Sequence, residues 1–203
     1  VVVVIVAGSA VMVESWRDKA SAILQTFYSG MEGGTALARL LFGEVSPSGR
    51  LPFTVARDAA DYPYFDRDAD TIEYGYWHGY AKFEQEGLAP RYAFGHGLSY
   101  TRFAYRALKV RRSGDRITAS VAVHNEGDVA ADEVVQLYVG YPGQVQPRAK
   151  KNLKAFKRVS LAPRETKIVH LDVPVEALRY RDPSSRGWRL EAGAHRILVG
   201  GSS

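Results

Sequence analysis

The chain has 203 residues, a hydrophobic fraction of 46% and a formal charge of +5, enough for one large domain or two small ones with a real core. It contains no cysteine, which excludes disulfides, cysteine zinc sites and thiol nucleophiles. No apolar run approaches the roughly 20 residues that span a bilayer, so no membrane association is expected. Val1 to Ala7 reads as a central strand of a parallel sheet, buried on both faces. Such a strand needs neighbours on both sides and a crossover from an earlier strand. No initiator Met and no targeting segment stand before it. The expectation is therefore the C-terminal part of a longer protein.

After Gly8-Ser9-Ala10 a polar stretch around Glu14 to Ala20 suits one or two helical turns, and Ala22 to Tyr28 reads as a second buried strand. Ser29 to Gly34 is a glycine loop. Thr35 to Phe42 is predicted helical, with Ala36, Leu37, Leu40 and Leu41 on one face and Gly43 as its stop. Ser46 to Gly49 is a turn and Leu51 to Val55 a short strand, giving β-α-β-α-β order and a partial α/β layer. Asp58 to Pro90 mixes eight aromatic residues with Asp and Glu and shows no clean period. A segment of that length without regular structure is uncommon and often functional.

From about Phe103 the period becomes two. Ile117, Ala119, Val121 and Val123 alternate with smaller or polar residues, as do Val135, Leu137 and Val139, then Val169, Leu171 and Val173, and last Ile197 and Val199. Turn signals fall at Ser113 to Asp115, Asn125 to Asp128, Ala162 to Arg164 and Ala192-Gly193. About seven short strands in about 100 residues predict an immunoglobulin-like or fibronectin-III-like β-sandwich. The predicted fold is thus α/β plus all-β, divided at residues 1–102 and 103–203.

Basic clusters at Arg106 to Arg116 and Arg148 to Arg158 suggest either a nucleic-acid surface or solvated strand faces. Alternation with Leu, Val, Ala and Phe favours the second, so no nucleic-acid partner is expected. His78, His96, His124, His170 and His195 have no metal-ligand spacing. Gly30 to Gly34 lacks the Lys and Ser/Thr of a phosphate loop, and Ser9 lies outside any Gly-x-Ser-x-Gly turn. Asp66, Asp68, Asp70 and Glu73 lack the Gly and terminal Glu of a calcium loop. No metal and no cofactor are expected. Glu32 follows a strand on the glycine loop, where open α/β sheets bind ligands, although hydrogen bonding or loop ordering explains it more readily. Tyr76 and Trp77 combine with nearby carboxylates in a pattern suited to sugars: rings stack on C–H faces and carboxylates take hydroxyls. The same residues also suit an interdomain contact. Glu32, Tyr76 and Trp77 are the candidate substrate-binding residues.

Several stretches carry a further signal. Phe94-Gly95-His96-Gly97-Leu98-Ser99-Tyr100 resembles the Phe-Gly-x-Gly-Leu-Ser-Tyr signature of glycoside hydrolase family 3, chiefly its β-glucosidases and β-xylosidases. Met31 to Gly34, Leu41 to Gly43 and Pro47 to Pro52 resemble that family's Gln-Glu-Gly-Gly, Leu-Phe-Gly and Pro-Ser-Gly-Lys-Leu-Pro stretches. Asn125 to Val139, Leu153 to Lys157 and Val199 to Ser203 resemble its fibronectin-III-like domain. The resemblance implies a parent with an N-terminal barrel, an α/β sandwich and this β-sandwich. It implies an exo-acting, retaining hydrolase of β-linked oligosaccharides or glycosides, with an Asp nucleophile on the barrel and a Glu acid/base on an earlier loop. Glu32 does not match the Glu-Gly-x-Asp-Arg acid/base motif. No catalytic residue is carried over to this chain, and the chain alone is expected to be inactive. The barrel is expected in cis or in trans. A carbohydrate-binding or adhesion module is the alternative. The compartment stays open, with periplasm or exterior preferred to cytoplasm.

Overall fold

The computed structural model describes residues 1–143 and 148–203. The chain divides into two compact units, residues 1–45 with 50–96, and residues 46–49 with 97–203. In the first unit, β1 (Val2–Ile5) pairs in parallel with β2 (Ala22–Gln25), with Val2 opposite Ala22 and Ile5 opposite Gln25. A 3-10 turn at Arg17–Lys19 lies on the crossover between them. The parallel pairing agrees with the sequence, but burial on both faces does not. β1 has one partner strand among the described residues, and Val1, Val2 and Val6 are exposed.

Four other elements also differ from the sequence reading. β2 ends at Gln25 rather than Tyr28, because Phe27 takes a left-handed φ of 53° and Thr26 turns back to donate to the Ile5 carbonyl through both N and Oγ1. Leu51 to Val55 forms no strand. Pro52 has no N–H to give, so the ladder shrinks to single contacts: Leu51 with Gly95 and His96, and a bridge from Val55 to Tyr92. The Asp58 to Pro90 segment is partly regular. Asp58 caps a 3-10 turn at Ala59–Asp61, its side chain accepting from the Ala60 N–H. Helix α2 (Gly79–Glu86) ends on Gly87 at φ 69°, buries Phe83 and carries a Lys82–Glu86 pair at 2.5 Å. Helix α1 (Gly33–Leu41) begins two residues before its predicted start.

The second unit is a sandwich of two antiparallel sheets. One contains β3 (Phe103–Ser113), β4 (Arg116–Asn125) and β7 (Thr166–Pro174) in the order β3-β4-β7. The other contains β5 (Ala131–Gly140), β6 (Lys151–Leu161) and β10 (Arg196–Gly200) in the order β10-β5-β6. A two-residue pair, β8 (Tyr180–Arg181) with β9 (Trp188–Arg189), follows a 3-10 turn at Val175–Leu178. The inward residues are those the alternation selects: Ala119, Val121 and Val123 from β4, Val135, Leu137 and Val139 from β5, and Val169, Leu171 and Val173 from β7, closed by Leu161 and Leu178. Each fully buried aliphatic side chain contributes roughly 1.5–3 kcal/mol.

β5 is buried on both faces. Its alternate residues Gln136 and Tyr138 are only 3% and 2% exposed, and their polar atoms are satisfied: Tyr138 donates to Gln136 Oε1 at 2.6 Å and Gln136 donates to the Gly201 carbonyl. Asn125, 0% exposed, ties three loops together. Its Nδ2 donates to the carbonyls of Val129 and Ala162, while its Oδ1 accepts from Thr101 Oγ1 and the Gly127 N–H.

Candidate functional site

The glycine loop delivers Glu32 to the N-cap of α1, where Gly30 adopts φ 69° to reverse the chain. The Glu32 side chain is exposed and caps no helix N–H. Its neighbour Met31 is fully exposed. The loop packs closely at one point: a Cβ at Gly33 would sit 2.6 Å from Ser29 Oγ, so a larger residue there requires Ser29 to shift.

Tyr76 and Trp77 come just before α2. Their rings meet edge to face, with centroids 4.9 Å apart and planes at 82°. Tyr74 and His78 form a second such pair at 5.7 Å. Tyr76 is 59% exposed, and Tyr64, Phe65 and Tyr74 are exposed more fully still. Among the acids, Asp66 accepts from the Asp68 N–H at 3.0 Å, a local turn bond, and Asp68 pairs with exposed Arg67. Among the described residues no group of three His, Asp or Glu side chains has the spacing of a metal site. Glu32 stands on a different element from the Tyr76–Trp77 pair, and the two aromatic residues are the ones brought together.

The Phe94 to Tyr100 stretch is a tight turn fixed to both flanking segments. Gly95, at φ 82°, donates to the Leu51 carbonyl at 2.8 Å, and the His96 carbonyl accepts from the Leu51 N–H. The His96 ring stacks on Tyr92 at 5.1 Å and 21°. Burial pushes its pKa down, and the nearby Arg50 charge lowers it further. Further along, Ser46 Oγ lies 2.8 Å from Ser99 Oγ and accepts from the Tyr100 N–H.

Arg91 and Glu14 form a two-pronged ion pair that sequence reasoning missed. Arg91 Nε lies 2.6 Å from Glu14 Oε2 and its Nη2 reaches Oε1. The Arg91 hydrogen bonds hold the Glu14 carboxyl below its usual range. Seventy-seven residues separate the partners, so no local pattern announces them. An open hollow lined by Ser99, Tyr100, Thr101, Arg102, Glu126 and Gly127 holds none of the candidate residues.

Comparison with known proteins matches residues 1–100 to the glycosyl hydrolase family 3 C-terminal domain and residues 133–203 to a fibronectin type III-like domain. The chain is 38% identical over 212 residues to thermostable beta-glucosidase B of Acetivibrio thermocellus, covering 100% of itself and 28% of that protein. It is 37% identical to an exo-alpha-(1->6)-L-arabinopyranosidase of Bifidobacterium longum, with the same coverage of both chains. In structure it resembles the beta-D-glucoside glucohydrolase of Trichoderma reesei, with a TM-score of 0.94 at 29% identity over 100% of this chain and 32% of that one. The chain therefore spans about a third or less of the length of the proteins it resembles.

Proposed function

Because the chain belongs to glycoside hydrolase family 3, matching its C-terminal domain and a fibronectin type III-like domain, we propose that it serves an exo-acting, retaining β-glucosidase-like enzyme as the C-terminal structural portion. The observation that carries this reading is the match in order across 100% of the chain to β-glucosidases, in sequence and in backbone. Retention needs two carboxyl groups about 5–5.5 Å apart, one to attack the anomeric carbon and one to protonate the leaving oxygen. We assign neither role to a residue of this chain. Both belong, on this reading, to a barrel and an earlier loop supplied in cis or by a second polypeptide. The chain's own contribution, on this reading, is structural: its α/β unit extends the sheet beside the site, and its sandwich is a separate domain without a catalytic role.

The sugar is the open part of the proposal, since the relatives include a β-glucosidase and an arabinopyranosidase at nearly equal identity. The test is hydrolysis of aryl β-glucoside, β-xyloside and α-L-arabinopyranoside by the product of the whole reading frame. Fastest turnover of the β-glucoside, with the β-anomer as first product by NMR, is expected. Fastest turnover of either other glycoside reassigns the substrate, and an initially α product rejects retention.

The exposed rings of Tyr64, Tyr74 and Tyr76 favour one second reading, a carbohydrate-binding module without hydrolysis. That reading requires the chain alone to bind cello-oligosaccharides and Trp77→Ala to abolish the binding.

A further inference from the structure

Strand β3 contains a bulge that changes which of its side chains face water. Arg106 is opposite Ala122, and the ladder resumes with Lys109 opposite Ser120, so Ala107 and Leu108 together face one residue of β4. Ala107 takes a φ of 53° to make the step. A regular strand would put Arg106, Leu108, Val110 and Arg112 on one face. The bulge instead aligns Arg106, Lys109 and Arg111 with Ala122, Ser120 and Thr118. Those β4 residues alternate with Ala119, Val121 and Val123, which fill the core. The three cations therefore form one column on the outer face of the β3-β4-β7 sheet, at steps of about 7 Å.

The column is poorly neutralised. Lys109 and Arg111 make no ion pair among the described residues. Arg106 reaches Glu126 only at 3.9 Å, with both side chains exposed, which contributes little. Asp172, the acid on the same face, already accepts from Thr118 Oγ1 at 2.6 Å and pairs with Arg116 at 3.5 Å. Beside the column run the short side chains of Thr118, Ser120 and Ala122, and beyond them Asp172, His170 and the exposed Ile168 of β7. β3 is also an edge strand.

From this geometry we propose that the outer face of the β3-β4-β7 sheet binds an acidic polysaccharide, its carboxylates on Arg106, Lys109 and Arg111 and its hydroxyls toward Thr118 and Ser120. The proposal is independent of the glycosidase reading. A single-stranded nucleic acid shares the charge but binds through stacking on aromatic rings. None of the residues paired across this face is Phe, Tyr or Trp.

The experiment uses the full chain and polygalacturonate, in affinity electrophoresis at 50 mM salt. Retardation by polygalacturonate and none by neutral hydroxyethyl cellulose is expected. Counter-ion release from three contacts weakens binding by about tenfold to twentyfold between 50 and 200 mM salt. The double variant Lys109→Glu/Arg111→Glu should lose at least about tenfold. Lys157→Glu/Arg179→Glu changes net charge equally and should bind within about twofold of the parent, since non-specific attraction would weaken both alike. If charge reversal prevents folding, judged by circular dichroism, Lys109→Gln/Arg111→Gln reads the same contacts and should also weaken binding. No retardation, equal loss in both double variants, or tighter binding of poly(dT) than of polygalacturonate overturns the proposal.

Discussion

At the scale of single residues, the sandwich depends on buried polar groups more than its alternating pattern suggests. Asn125, itself 0% exposed, bonds to Thr101, Gly127, Val129 and Ala162 at once. Asn125→Ala would orphan two carbonyls, a hydroxyl and an N–H, and should cost about 3 kcal/mol in urea unfolding at an unchanged m-value. Gly127→Ala acts on the same cluster by another route. A Cβ there collides with Thr101 Oγ1, the group that donates to Asn125. The two changes share one network, so the double variant should lose less than the sum of the singles. Asp182 gives a separate test. Hydrogen bonds from Ser184 and Ser185, with the Arg189 charge adding less, hold its carboxyl down to about 2. A depressed carboxylate stabilises the fold above its unfolded value near 3.9, and this is lost as pH falls toward 2. Asp182→Asn should therefore lower Tm at pH 6 and flatten its decline between pH 4 and 2. The slope that remains would come from Glu14, Asp132 and Glu165, which are lowered as well. An undiminished slope in the variant contradicts the assignment.

The elements differ in how openly the sequence displays them. The cores of β4, β5, β7 and β10 are plain because a half-buried strand writes its environment as a period of two. Helix α1 and its Gly43 stop are plain for the same kind of reason, a period near 3.6 and a glycine at positive φ. Helix α2 is hidden. It opens on Gly79, buries only Phe83, and lies in a run of rings whose spacing follows no single surface. The expected strand at Leu51 to Val55 is apolar enough but has Pro52 in the ladder. The β3 bulge is invisible for a different reason: no glycine marks it, and Ala107 adopts the left-handed conformation itself. Of the candidate site, the Tyr76–Trp77 contact follows from adjacency, whereas the Arg91–Glu14 pair requires the folded chain. The Phe94 to Tyr100 turn yields an element-scale prediction. His96 is held neutral by burial and by Arg50, so its folded pKa lies below the unfolded value near 6.5. Stability of the first unit should fall as pH drops below about 6.5 and level off beneath the folded pKa. His96→Gln should remove that step from hydrogen-exchange protection at Leu51 and Gly95. A step of equal size in the variant would exclude His96 as its source.

On the scale of the whole molecule, the two units bury their apolar residues very unequally. The sandwich has a closed core of aliphatic side chains. The first unit leaves Met31 100%, Tyr64 87%, Val1 84%, Phe42 84% and Tyr28 77% exposed, and buries no residue of α1. Apolar surface on that scale favours association. The purified chain should bind a hydrophobic dye and self-associate in sedimentation, and a monomer that melts in one cooperative transition would count against this account. The same asymmetry bears on the proposed function, which gives the first unit a structural part and no chemistry of its own. The most direct measurement is turnover of an aryl β-glucoside by two purified proteins, this chain alone and the product of its whole reading frame. The account predicts no hydrolysis above background by the first and steady hydrolysis with retention by the second. Hydrolysis by the 203-residue chain, free of any longer product, would contradict it.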